Sequence, residues 1–196
     1  MSHHKTVTLM SVVREDVSRI RQWLEDKEVS ESWFGRYSYG DPAHLGYHPT
    51  EMENASEEEW KRVFDDPEHR ILSINSESGE HIGEIHIAIE ESLGDGQLSI
   101  LIGRTDMWHQ GYGTAATTAA LKAAFNEYGL YRVWVDVPEY NTAAITLFTH
   151  IGFVHEGTLR KSRPHEGSRF DSAVMGILAT EYVQRVDTEH TKAQPA

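Results

Sequence analysis

Six consecutive residues, Gln110-Gly111-Tyr112-Gly113-Thr114-Ala115, have the types and spacing of an anion cradle. Two glycines one residue apart let the backbone adopt unusual dihedrals and approach a ligand closely. The small residues that follow suit a helix over 111–128, with Gly129 placed to end it at C′. The first amides of a helix have no intrahelical acceptor, and the helix dipole adds partial positive charge there. Phosphate is the ligand such a turn holds best, and Arg104 and His109 can add charge-assisted contacts to it. A second chemical pair is Glu84 and His86, which share one side of a strand because they are two residues apart. Either can serve as a general base, and burial beside a ligand raises Glu84 toward neutrality.

Two familiar phosphate-binding patterns fit the cradle less well. A P-loop needs Gly-Lys-Ser/Thr, but Gly113 is followed by Thr114-Ala115. A Rossmann fingerprint tolerates Ala116 at its third glycine, yet its strand normally opens a domain, and this one, 97–103, lies past the middle of the chain. The segment instead resembles the pyrophosphate loop of the GCN5-related N-acetyltransferase (GNAT) superfamily, Gln/Arg-x-x-Gly-x-Gly/Ala. The resemblance continues in Asn141-Thr-Ala-Ala-Ile-Thr-Leu-Phe148-Thr-His-Ile-Gly152-Phe153, similar to the family's Asn-x-x-Ala-x-x-Leu-Tyr-x-x-x-Gly-Phe helix, and covers about the last half of the chain. Trp108 stands where the family has Gln or Arg. Together with Asp26-Lys-Glu-Val-Ser-Glu-Ser-Trp33 and the ending Met175–Tyr182, it resembles the branch of ribosomal-protein-alanine and spermidine acetyltransferases.

The resemblance implies an acetyl-CoA-dependent N-acetyltransferase that moves the acetyl group to a primary amine by direct attack in a ternary complex. The acceptor would be a protein N-terminus, a polyamine, an aminoglycoside or another small amine. Leu101, Ile102 and Gly103 would offer backbone groups to pantetheine, and Asn141, Ala144 and Phe148 would line the other wall, Asn141 also serving as a helix cap. The family's general acid is a Tyr where this chain has Phe148, so Tyr140, Tyr112 or a water would protonate the departing thiolate. A thiol of pKa about 8.5 leaves tolerably even without one. The missing hydroxyl keeps open an alternative, a non-catalytic acyl-CoA-binding or regulatory module. Trp33, Phe34, Tyr37 and Tyr39 sit where the family places its acceptor wall, and aromatic faces near carboxylates suit a cationic amine.

Several elements must position these groups. A strand over 6–11 leads to a helix over 13–26, where Val13, Val17, Ile20 and Leu24 recur at helical spacing. Residues 28–54 read as a long irregular segment rich in aromatics. Ser56-Glu57-Glu58-Glu59 is a capping box before a short helix that Pro67 ends. Strands over 70–75 and 81–90 form a hairpin, 97–103 and 131–137 are strands, a helix runs from Asn141 to Ile151, and strands over 152–160 and 170–178 flank a turn at 161–169. The order β-α-α-β-β-β-α-β-α-β-β predicts a GNAT-type α/β (α+β) fold, a mixed and mostly antiparallel sheet of about seven strands with about four helices. Residues 1–187 are expected to form one domain and 188–196 a flexible tail.

Composition restricts partners. The formal net charge of -13 argues against nucleic acid and favours cationic ligands. No apolar run spans a bilayer, and the N-terminus lacks the pattern of a signal peptide, so a cytoplasmic protein with no membrane partner is expected. Zero cysteines remove disulfides and thiolate ligands, and the 12 histidines show no paired helical spacing, so no metal is expected. A homodimer is expected by analogy, since an open edge strand needs cover.

Overall fold

The computed structural model describes residues 5–33 and 46–183, the side chains of 31–33 excepted. The expected acceptor residues Phe34, Tyr37 and Tyr39, the side chain of Trp33 and the tail 188–196 lie outside the described residues.

The described elements are β1 (Val7–Ser11), α1 (Arg14–Glu25), α2 (Lys27–Trp33), α3 (Pro49–Met52), α4 (Glu57–Phe64), β2 (His69–Ser76), β3 (His81–Glu90), β4 (Asp95–Ile102), α5 (Tyr112–Asn126), β5 (Arg132–Pro138), α6 (Thr142–Ile151), β6 (Val154–His165) and β7 (Ser168–Leu178), with a 3-10 turn at Thr105–Met107. The architecture is the mixed α/β fold expected, with a seven-stranded, mostly antiparallel sheet in the order β1-β2-β3-β4-β5-β7-β6.

Two expectations need correction. The segment 28–54 is not wholly irregular, because α2 and α3 fall within it. Asp26 leaves the helical region at ψ 123 and ends α1, and its carboxylate then accepts from Glu28 N at 2.9 Å. The helix restarts there and buries Val29 and Ser30. The expected turn at 161–169 is mostly strand. β6 and β7 continue past a bulge, with Lys161 at φ 51, to a two-residue turn in which Glu166 and Gly167 both have positive φ. That turn matches the twist of paired strands.

The sheet separates two apolar layers. On one side α5 and α6 pack against Ile85, Ile87, Leu98, Val133 and Ile177. Complete burial of Ile85 and Ile87 stabilises the fold by about 1.5–3 kcal/mol each. On the other side Val17 and Ile20 of α1 and Val29 of α2 meet Ile71 and Leu101. α4 starts with both bonds of its capping box, Glu59 N donating to Ser56 Oγ at 3.2 Å and Ser56 N donating to Glu59 Oε2 at 2.8 Å.

The parallel pair β4–β5 positions the site. Its ladder holds for three positions only, Asp95–Arg132, Gly96–Val133 and Gln97–Trp134. Arg132 clamps that end, donating to Asp95 at 2.6 Å and pairing with Glu156 of β6. Beyond Gln97 the strands part.

Candidate active site

The parting makes a small cleft of about 40 Å³ between Leu98, Ser99 and Ile100 of β4 and residues 135–138 of β5. Asn141, Ala144 and Phe148 close its other wall. Asn141 also caps α6, its Oδ1 accepting from Ala144 N at 3.1 Å. Phe148 is buried and meets Phe153 edge-on at 5.1 Å.

On the β4 side the expectation shifts. Gly103 N–H donates to Ile82 O of β3 at 2.9 Å, so it points away from the opening. Antiparallel alternation then turns the backbone groups of Ile102 and Ile100 toward β5. The Ile102 carbonyl accepts from Trp108 Nε1 at 2.8 Å, which gives the departing Trp a structural task. The Leu101 side chain is buried on the α1 side of the sheet. The residues of β4 that line this small cleft are Leu98, Ser99 and Ile100, which sequence reasoning missed because spacing does not reveal where two strands separate. Gly103 has a packing reason to be glycine: a Cβ there would lie 2.0 Å from the Trp23 ring.

The cradle begins α5. Gly111 is its N-cap at φ 93, preceded by His109 at φ 58, and no side chain caps the turn. Ala115 N–H bonds back to Gly111 O at 3.0 Å, so the amides of the residues before it open the helix. Gln110 Nε2 donates to the Asp106 carbonyl at 2.6 Å, fixing the approach to the turn. Gly113 lets α5 pack on α6, since a Cβ would stand 2.8 Å from Leu147 Cδ1. Thr114 and Ala115 complete the first turn, both half-buried.

Lys5, which the sequence did not single out, lies beside this loop. Its Nζ donates to Tyr112 Oη at 3.1 Å and sits 4.7 Å from the ring centroid, while Glu77 holds it at 3.2 Å. Arg104, expected at the phosphate, pairs with Asp106 at 2.7 Å and with Glu80. There it lines a separate cavity of about 660 Å³ with Asp16, Arg19, Trp23 and His81.

Glu84 and His86 stand on the α1 side of β3, both buried, where a half-exposed sheet face would have left them wet. Glu84 pairs in register with Leu101 of β4, so it adjoins the strand that lines the cleft. Its Oε2 accepts from Tyr47 Oη at 2.6 Å. Burial pushes the carboxyl up from 4.5 to about 8, the Tyr47 bond opposes that rise, and the nearby Asp16 charge adds to it. Asp16 is itself held by Ser73 Oγ at 2.6 Å and Arg19 at 2.7 Å. His86 Nε2 lies 2.8 Å from His69 Nδ1. Tyr140 is elsewhere, stacked on His165 at 4.2 Å and edge-on to Phe170 at 5.3 Å. Among the described residues no group of three or more His, Asp or Glu side chains is arranged to hold a metal, and no helix is long and apolar enough to cross a membrane.

A strand pair that parts beside a helix starting on bare amides has the geometry of an acyl-CoA-using transferase. The residues fit acetyl-CoA: the Gly111 turn suits its pyrophosphate, and the Leu98–Ile100 edge with Asn141, Ala144 and Phe148 suits its pantetheine. The chain belongs to the GNAT acetyltransferase family, for the family described as "Acetyltransferase (GNAT) domain" matches residues 6–154. It is accordingly an N-acetyltransferase with acetyl-CoA as co-substrate. The spermidine N(1)-acetyltransferase of Vibrio cholerae serotype O1 is 25% identical over 182 residues, 91% of this chain and 96% of that protein. An uncharacterised N-acetyltransferase, p20, of Bacillus licheniformis is 27% identical over 115 residues, and the match spans 58% of this chain and 64% of that protein. In fold, the chain is similar to the Vibrio cholerae spermidine N-acetyltransferase solved in complex with CoA and spermine, with a TM-score of 0.75 at 21% identity, covering 91% of this chain and 98% of that one.

Proposed function

We propose that this enzyme acetylates a primary amine of a polyamine or a similar small cationic amine, by direct attack of the amine, with Glu84 as the general base. The observation that carries the reading is Glu84 itself, a carboxyl with no solvent exposure whose pKa of about 8 lies near working pH, on the strand next to the cleft. A base so tuned has the driving force to take the amine's proton while remaining available. The acetyl thioester supplies the electrophile. The chain's own residues hold its diphosphate on the first amides of α5, exclude water from the cleft with Phe148, and receive the proton at Glu84. Phe148 has no hydroxyl to protonate the thiolate, which leaves with its own pKa of about 8.5.

A polyamine is favoured by the spermidine-acetylating relative, which matches along nearly its whole length, and by the net charge of -13, which draws polycations. Pairing of two copies is favoured at β6, the edge of the sheet, where Val154 and Leu159 are exposed. The function is tested by measuring CoA release from acetyl-CoA with spermidine, spermine, an aminoglycoside and a short peptide with a free N-terminus. Turnover is expected with the polyamines. Acetylation of the peptide alone would overturn the acceptor assignment.

A further inference from the structure

We propose that Tyr47 is a positioning residue for the transfer, favouring the ionised form of Glu84 through the hydroxyl it donates to Oε2. The inference rests on Glu84 being the base.

Three observations point to Tyr47. It is the hydrogen-bond donor to a carboxyl that has no exposure to solvent, at 2.6 Å, a short bond. It is buried and held independently of Glu84, its ring meeting Phe64 of α4 at 5.1 Å in an edge-on contact. Gly46 beside it takes φ 78 and lies so close to His86 that a Cβ would come within 3.0 Å of that ring. The hydroxyl is thus aimed by a fixed backbone and a packed ring.

The groups facing Glu84 pull in opposite directions. Asp16 on α1 disfavours its negative charge, and so does burial. Ser73, its register partner on β2, has committed its hydroxyl to Asp16. Leu101 on β4 is apolar, and His86 lies two residues along β3 on the same face. Among these, Tyr47 is the donor that favours the carboxylate, and it lowers the pKa that burial raises. Tyr47 keeps its own proton, because burial and Glu84 push its pKa up.

The test compares the pH dependence of kcat/KM for the natural enzyme, Tyr47→Phe and Glu84→Gln with spermidine as acceptor, together with a titration of glutamate carboxyl carbons by NMR. Tyr47→Phe keeps the ring on Phe64 and removes only the donor. Its acid limb and the Glu84 carboxyl titration are expected to move up by about one pH unit or more, with the high-pH plateau kept. A purely structural role would lower the plateau and leave the limb where it was. If Glu84→Gln abolishes the limb and Tyr47→Phe leaves both the limb and the titration unmoved, the role of Tyr47 is refuted and the base assignment stands. If Glu84→Gln retains the limb, both fall.

Discussion

Glu84 makes the enzyme's stability depend on pH in a way that one substitution should reveal. Folded, the carboxyl titrates at about 8; unfolded, it would titrate near its ordinary 4.5. Between these values the folded chain keeps a proton that the unfolded chain has released. Stability therefore falls as pH rises across that window and is level on either side. At about 1.4 kcal/mol per pH unit the full fall is on the order of 5 kcal/mol, an upper figure. Glu84→Gln is neutral at every pH and loses this slope. Its amide brings donors into a place built for a carboxyl, which costs about 1–3 kcal/mol at all pH. The two stability curves should cross: the natural enzyme is the more stable at pH 5, and the variant is the more stable by a few kcal/mol at pH 8 while lacking activity. Urea denaturation of both proteins from pH 5 to 9 measures it. His81 contributes with the opposite sign. Burial lowers its pKa, so its contribution to stability rises with pH. It is common to both proteins and drops out of the difference. A constant offset between the curves would show that Glu84 ionises as an ordinary surface carboxyl, and the physical basis for its role as a base near neutral pH would be gone.

Two further substitutions probe other parts of the site. Gly111→Glu places a carboxylate at the start of α5, where a Cβ meets nothing nearer than Lys5 Cγ at 3.7 Å. Calorimetry should show acetyl-CoA binding abolished while the fold survives, with a modest loss of stability from the positive φ, and retained binding would refute the cradle. Asp136→Ala removes the carboxylate paired with Arg163, whose side chain is 6% exposed. Removing this partner of a buried guanidinium should cost about 3–5 kcal/mol in urea denaturation, and a loss below about 1 kcal/mol would refute the pair's weight in the fold.

Local chemistry was legible in the sequence, and distant chemistry was not. Ser56 and Glu59 cap α4, Asn141 caps α6 and Gly111 starts α5, because each acts within three residues of itself. The shared face of Glu84 and His86 followed from strand alternation alone. What escaped notice depends on pairing across the fold. Lys5 meets Tyr112 over a separation of 107 residues, and Tyr47 meets Glu84 over 37. Arg104 looked available for phosphate because its partner Glu80 lies 24 residues earlier, although its other partner, Asp106, is only two residues along. Likewise, the parallel ladder of β4 and β5 ends at Gln97–Trp134, a separation between distant segments that no local pattern marks.

The charge distribution joins the two halves of the proposed reaction. A chain of net charge -13 repels an anionic co-substrate at long range, and a basic side-chain cluster would be the obvious remedy. The structure answers instead with main-chain dipoles at the start of α5, while Lys5 nearby is already shared with Glu77. Amide dipoles act only within a turn of the helix end, so in the proposed reaction they would hold phosphate without cancelling the acidic field elsewhere. That field remains free to draw a polycation, and it also strengthens the pressure on Glu84, because every further negative charge near a buried carboxyl favours its protonated form. In the proposed reaction acceptor capture and base tuning would draw on one feature of composition, with a donor such as Tyr47 easing the ionisation of the base.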